Sequence, residues 1–179
     1  MKTYVTSLVA LCSVLPCCIS TFSDDKPMVT DREGMISNCL SIVRSDEAWR
    51  TNTADITRAL NVISQEGLTN AIKFLVPHIA FSPVETPDTT MGNVYRVYPV
   101  VGCLRQLGRP SVDAIIEYVR NPKCELTPLM IHQMRLVLVA IEGKERAKQI
   151  LDSTMKNVAR ADSLTRLRML GEGNGATSQ

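Results

Sequence analysis

Residues 93–121 read NVYRVYPVVGCLRQLGRPSVDAIIEYVRN, and this stretch decides the fold. Apolar residues recur in its second half at the spacing of one helical face: Val112, Ile115, Ile116 and Val119. Glycine commonly follows a helix end and proline commonly begins a helix, so the Gly-Arg-Pro turn before them predicts two short antiparallel helices. A helical hairpin of this kind cannot bury all of its apolar surface alone. We therefore expect neighbouring hairpins to pack against it.

The flanking segments repeat this pattern. Residues 53–79 carry an apolar stripe that stops at Gly67, where glycine most easily forms a left-handed helix end, and that resumes afterwards. Residues 127–158 do the same around Gly143, and Thr127 followed by proline predicts a capped helix start. The chain therefore contains three similar helical units.

The spacing of these units is that of a helical repeat. Leu104 and Leu138 lie 34 positions apart, and Leu60 and Leu104 lie 44 positions apart because a proline-containing loop at 80–92 intervenes. Periods of this size are typical of helical solenoids. Pro77, late in the first unit, removes a backbone donor and is expected to bend or end its helix.

Three features of the central unit carry a family resemblance: a first helix that Pro99 is expected to kink, a Leu-Gly-x-Pro-x-Val turn at 107–112, and an Ala-Ile-Ile run at 114–116. On these features the unit resembles a repeat of the HEAT/armadillo-like family of α-solenoids, and the resemblance covers residues 53–158. It implies an all-α fold, a short right-handed stack of antiparallel helix hairpins. In that family the second helices form a ridge that binds proteins, and no catalytic residues are implied.

The composition limits the class of protein. Of the 179 residues, 45% are hydrophobic, which is enough for a packed core and excludes disorder of the whole chain. Aromatic residues make up only 4%, so aliphatic core helices fit better than a β-sandwich. A net charge of +2 predicts no general attraction to nucleic acid, and we expect no nucleic-acid partner.

The N-terminal residues have the layout of a secretory signal peptide. Lys2 precedes an apolar run that is too short to span a bilayer, and small and polar residues follow. We therefore predict a signal peptide at 1–20 and an exported protein that is periplasmic, in the envelope or secreted. The alternative is a membrane tether through a lipid-modified Cys17 or Cys18. The remaining pattern predicts an exposed lead-in at 21–33, a helical repeat domain at 34–170 and a disordered glycine-rich tail at 171–179.

Three cysteines remain after the predicted cleavage: Cys39, Cys103 and Cys124. Cys39 and Cys103 lie on apolar helical stripes, so the favoured interpretation is that they are small buried hydrophobic residues. A disulfide between Cys103 and Cys124 stays open as an alternative, because spacing along the chain does not fix the distance that the bond requires. The absence of a CxxC pair or a Cys/His cluster argues against a zinc site.

The sequence offers no residues for catalysis. His78 and His132 lie in different units without the carboxylate spacing of a metal or catalytic site, and His132 is expected to be a hydrogen-bonded core or boundary residue. Trp49, the single tryptophan, is expected to anchor the edge of the core. No hydrolase, kinase, P-loop or dinucleotide-binding motif occurs. We predict a protein that is not an enzyme, with no catalytic, cofactor-binding or metal-binding residues and no cofactor.

Basic residues outnumber acidic ones in the C-terminal helix. A basic terminal helix suits an acidic partner, an anionic lipid or nucleic acid. The favoured interpretation is a solvated end-cap, because the terminal unit of a solenoid needs a polar outer face. The basic residues are Lys144, Arg146, Lys148, Lys156, Arg160, Arg166 and Arg168, and the acidic ones are Glu145, Asp152 and Asp162.

The predicted function is a non-catalytic one, protein-protein interaction or scaffolding. The alternative is an envelope-associated lipoprotein or a small-molecule-binding helical protein, with a groove edged by the loop at 80–92. Long loops often carry binding functions, although a surface insertion would read the same way.

Overall fold

The computed structural model describes residues 31–84 and 94–172. Within these residues the chain is all-helical, as predicted, and contains no β-strand. Its ten α-helices are α1 (Asp31–Arg44), α2 (Asp46–Thr51), α3 (Thr53–Gln65), α4 (Ile72–Leu75), α5 (Val94–Val97), α6 (Pro99–Leu107), α7 (Arg109–Arg120), α8 (Pro128–Glu142), α9 (Lys144–Lys156) and α10 (Ala161–Gly171).

Several predictions fall on residues beyond these ranges. The signal peptide at 1–20, with Cys17 and Cys18, lies outside the described residues. So do most of the lead-in at 21–33, most of the loop at 80–92 and most of the tail at 171–179.

Local signals placed the helix ends well. Thr127 caps α8, since its side-chain oxygen accepts a hydrogen bond of 3.2 Å from the backbone N–H of Met130. Gly67 follows the end of α3 with φ of 63°, and the N–H of Leu68 donates to the carbonyl of Ile63 at 3.0 Å, which closes the helix end. Both of these predictions are confirmed.

Proline acts differently from the prediction in the central unit. Pro99 does not kink a longer helix but begins α6 as its first residue, and Tyr98 separates it from α5 with φ of −121°. A residue before proline avoids the helical region because the proline ring crowds it, which explains the break. In the first unit, Pro77 does end the α-helix: α4 stops at Leu75 and a 3₁₀ turn follows.

The start of the first helix and the continuity of the last helix differ from the prediction. The first helix begins at Asp31 rather than at Gly34. Asp31 and Glu33 lie in its first turn, where their negative charge interacts favourably with the positive end of the helix dipole. At the other end, the last helix does not run on unbroken to Leu170. It is interrupted at residues 157–160, after which α10 begins.

Helices that are not adjacent in the sequence pack against one another in order. The helices α3, α6 and α8, one from each of the three units, form one row, and α1 precedes them. In this row α1 contacts α3, α3 contacts α6 and α6 contacts α8. On the other side, α7 contacts α4 and α10. Leu60, Leu104 and Leu138 are all buried in one hydrophobic core, on α3, α6 and α8 respectively.

Single glycines join α6 to α7 and α8 to α9. Gly108 has φ of 73° and ψ of −146°, and Gly143 has φ of 75° and ψ of 160°, a region that side chains with a Cβ atom avoid. The fully buried Ser111 donates a hydrogen bond of 2.7 Å from its hydroxyl to the carbonyl of Leu104, which ties the start of α7 to the end of α6. These connections hold α7 and α9 beside α6 and α8.

Candidate functional site

A surface groove of about 800 Å³ lies between α7 and α9, and we call it the α7–α9 groove. Ile116, which is 9% exposed, is its least exposed lining residue, and Ile150 is half-buried. Polar and charged side chains surround them: Arg109, Asp113, Glu117 and Arg120 from α7, and Arg146, Gln149, Ser153 and Thr154 from α9. The groove therefore combines a short apolar floor with charged walls.

The groove continues beyond the end of α7. A second hollow of about 400 Å³ shares Glu117 and Arg120 with it and adds Val158 and Arg160 from the segment that leads into α10. Along α7, the distance from Arg109 to Arg120 is about 16 Å at the rise of an α-helix. An extended peptide of about five residues has this length.

An ion pair closes one end of the groove. Arg109 Nη1 lies 2.6 Å from Glu142 Oε1, so a residue beside the first glycine joint is bound to one beside the second. Arg109 also lies 3.5 Å from Asp113 one turn further along α7. The hydrogen bond to Glu142 is the main reason why the pKa of Arg109 lies above its ordinary value.

At the other end, α10 holds the last turn of α7 through two side chains. Ser163 Oγ donates to the carbonyl of Arg120 at 2.6 Å, and Arg166 Nε donates to the carbonyl of Val119 at 2.8 Å. The other arm of the same guanidinium, Arg166 Nη2, donates to the carbonyl of Cys124 at 2.7 Å. The last carbonyls of a helix lack partners within the helix and carry partial negative charge, so a cation here stabilises α7.

Three arginines give the groove an excess of positive charge. Arg120, Arg146 and Arg160 are exposed, and none of them lies in an ion pair with a carboxylate of residues 31–84 or 94–172. The other charged residues of the lining are Glu117, Asp113 and Arg109, and the single charge of Arg109 is shared between Asp113 and Glu142. The groove thus offers more cationic than anionic groups to a ligand.

A separate groove of about 410 Å³ lies between α8, α9 and α10, and we call it the α8–α10 groove. Its lining is more apolar, with Leu138, Ala147, Leu151 and Met155 among its members. It carries four basic side chains, Arg135, Lys144, Lys148 and Arg168, and three acidic ones, Glu145, Asp152 and Glu172, which is the same excess of one that the main α7–α9 groove carries without its extension. Residues 80–84, the described part of the predicted loop, line neither groove.

The three cysteines that lie in the described residues are free thiols. Cys39 and Cys103 are buried in the core, as the favoured interpretation predicted, and Cys124 is half-buried. The alternative, a disulfide between Cys103 and Cys124, is therefore absent from the structure. Burial raises the pKa of the Cys103 thiol to about 12, so it stays protonated at neutral pH.

The first histidine lies beside the single tryptophan. Trp49 is 7% exposed, as expected of a core anchor, and its ring stacks on His78 with ring centroids 4.2 Å apart. Burial lowers the pKa of His78, and Asp46, 3.8 Å away, opposes this shift. His78 therefore has the environment of a packing residue and not that of a general acid or base, because its imidazole stacks on the face of the Trp49 ring.

The second histidine corrects a prediction. His132 is exposed on α8, not a core or boundary residue, because the buried stripe of α8 runs through Met130, Met134 and Val137 on another face. The same helix is apolar from Leu136 to Ile141, yet Val139 on it is 36% exposed. An apolar sequence alone did not reveal which side of α8 faces solvent.

Within residues 31–84 and 94–172, no three His, Cys, Asp or Glu side chains come close enough to hold a metal ion. In the same part of the chain, no helix has both the length and the hydropathy needed to cross a bilayer.

The groove was not predicted from the sequence, and its α7 side carries Asp113, Glu117 and Arg120. Those residues follow Arg109 at the spacing of one helical face, which was the available signal. Arg166 was assigned to a solvated end-cap, whereas it is half-buried and bound to backbone carbonyls.

Comparison of the chain with models of known protein families, with curated proteins and with solved structures finds no match.

Proposed function

We propose that this protein is an exported, non-catalytic helical-repeat protein that binds another protein through the α7–α9 groove. The observation that carries the proposal is the groove itself: an open hollow between α7 and α9 that is lined by the aliphatic side chains of Ile116 and Ile150 and by polar or charged side chains from both helices. Protein-binding surfaces commonly combine an apolar centre with a polar rim.

We assign the architecture to a short right-handed HEAT-like stack of antiparallel hairpins. Consecutive packing of α1, α3, α6 and α8 supports this assignment, since each repeat of a solenoid contacts its neighbours in order. The single-glycine joints at Gly108 and Gly143 support it as well, because they place two helices of each unit side by side. A solenoid of this kind presents an extended surface for a protein partner.

Export is part of the proposal and rests on the apolar run before Pro16, which has the length of a signal-peptide core. Intact mass of the product released from its source cells tests it. A chain that begins near residue 21 supports plain cleavage, and added diacylglycerol mass supports the tether at Cys17 or Cys18. An unprocessed chain retained inside the cell refutes export.

Chemical cross-linking of the full chain in its source cells, followed by affinity capture, tests protein binding. We expect one protein to be recovered in near-equal amount and to form a complex with the purified chain. A purified chain that forms no complex with any recovered protein refutes the proposal.

The α8–α10 groove favours a second candidate, binding of a small molecule. Its volume of about 410 Å³ lies within the range of ligand pockets, and aliphatic side chains such as Leu138, Leu151 and Leu170 line it beside seven charged ones. Native mass spectrometry of the full chain distinguishes the two functions. A bound small molecule that survives purification, together with failure to recover a protein, would favour this candidate.

A further inference from the structure

We infer that the occupant of the α7–α9 groove is a short acidic segment of the protein partner, with carboxylates that contact Arg120, Arg146 and Arg160 and an aliphatic side chain that packs on Ile116 and Ile150. This inference rests on the proposed function and names the chemistry of the partner at that same site.

The charges of the groove carry the first step. Arg120 lines both the main groove and its extension, Arg146 lies on the opposite wall, and Arg160 lies in the extension. None of the three forms an ion pair with a carboxylate in the part of the chain that the structure describes. An arginine can bind a carboxylate through two parallel hydrogen bonds, so each of the three side chains can bind one acidic residue of the partner segment.

The apolar floor carries the second step. Ile116 is 9% exposed and Ile150 is half-buried, so a small apolar surface lines the same groove as Arg120 and Arg146. A partner side chain that covers this surface would remove it from water, which favours binding in proportion to the apolar area covered. A segment in which acidic and aliphatic residues alternate meets both requirements.

Two features of the lining disfavour nucleic acid. Glu117 lies beside Arg120 in the groove and would repel an unbroken row of phosphates, whereas a peptide can place a neutral residue opposite it. The lining contains no aromatic side chain on which a base could stack. The length of the groove, about 16 Å along α7, suits about five extended peptide residues.

The test uses the full chain and a fluorescent peptide of alternating Glu and Leu, with a Gln-Leu peptide as the uncharged control. Fluorescence anisotropy should detect binding of the acidic peptide only, and added salt should weaken it because the contacts are exposed. Failure of the wild-type chain to bind the acidic peptide, or equal binding of both peptides, overturns the inference.

A matched pair of triple variants locates the site. The groove variant carries Arg120→Gln, Arg146→Gln and Arg160→Gln, and should bind the acidic peptide at least about tenfold more weakly. The control carries Lys144→Gln, Lys148→Gln and Arg168→Gln, which removes the same charge from the α8–α10 groove and should leave the affinity nearly unchanged. An equal loss in both variants would mean a general charge effect and would overturn the inference.

A gain of affinity provides a readout that misfolding cannot imitate. Glu117→Gln removes the carboxylate that repels the peptide, and we expect binding to tighten by about two- to fivefold, the value of one exposed charge pair. Unchanged or weaker binding contradicts the placement of the acidic segment.

Three further outcomes distinguish failure of the inference from failure of the proposed function. A groove variant that still binds the captured protein partner with wild-type affinity refutes the acidic segment at this site but leaves protein binding standing. A wild-type chain that binds phosphatidylserine vesicles or a single-stranded oligonucleotide more tightly than the acidic peptide refutes the choice of occupant. Recovery of no protein partner at all refutes the proposed function itself.

Discussion

Replacement of glycine by alanine at the joint between α6 and α7 tests how the helical units are connected. At Gly108, φ of 73° and ψ of −146° lie in a region that other residues avoid, yet no atom lies within 4 Å of the position that a Cβ would occupy. The loss of stability in Gly108→Ala therefore comes from the backbone alone. That strain is of order 1–3 kcal/mol, and the reduced freedom of the unfolded chain offsets about 0.4–1 kcal/mol of it.

Two other glycines provide matched comparisons. Gly67 has φ of 63° and open space around it, so Gly67→Ala should lose stability through left-handed strain of about 1–2 kcal/mol before the same offset. Gly34 lies within α1, also in open space, and Gly34→Ala should raise stability by up to about 1 kcal/mol. The substitutions at Gly34 and Gly108 should thus differ by roughly 2 kcal/mol.

Urea unfolding, followed by far-ultraviolet circular dichroism, measures these differences. The denaturation midpoint should rise for Gly34→Ala and fall for Gly67→Ala and Gly108→Ala, while the slope of the transition stays unchanged. A Gly108→Ala chain as stable as Gly34→Ala would refute the assigned conformation of the joint.

The other predictions concern single side chains. Arg166→Gln should lower the free energy of unfolding by about 2 kcal/mol, since the carbonyls of Val119 and Cys124 lose their charged donor. Arg166→Lys should recover only part of this stability, as measured by urea unfolding. Equal stability of the wild-type chain and both variants would contradict the capping role. Because burial lowers the pKa of His78, the unfolded chain takes up a proton more readily, so stability should be fully present above pH 6.5 and should fall as the pH drops below it. His78→Phe, which keeps an aromatic ring, should flatten that part of the pH profile, and an unchanged profile would contradict the assignment. The Cys103 thiol, with its pKa raised to about 12, should react with a thiol reagent in urea but hardly at all in the native protein, and rapid native reaction would contradict its burial.

Local sequence signals predicted the helices because each signal acts within a few residues. Gly67 and Gly143 mark helix ends, since the chain must take a positive φ there that glycine adopts without strain. Thr127 marks a helix start, since its side chain satisfies a backbone N–H three residues away. The aliphatic stripes followed the same logic, and Leu60 and Leu104 are buried as their spacing indicated.

What the sequence could not predict depends on contacts between distant residues. No glycine or proline marks the break between α9 and α10, so the separate helix α10 was missed. Its position is determined instead by Arg166 and Ser163, which bond to α7 more than 40 residues earlier in the chain. Ile116 and Ile150 likewise come together only when α7 and α9 do, so the groove could not be read from the spacing of residues within one helix.

A connection of one residue allows little relative movement of the two helices that it joins. Because α7 continues from α6 through Gly108 and α9 continues from α8 through Gly143, the width of the α7–α9 groove follows from how closely α6 and α8 pack. A larger or smaller core side chain between α6 and α8 would therefore change the separation of the two walls without altering any residue that a partner touches. Selectivity for the partner is in this way adjustable from the interior of the protein.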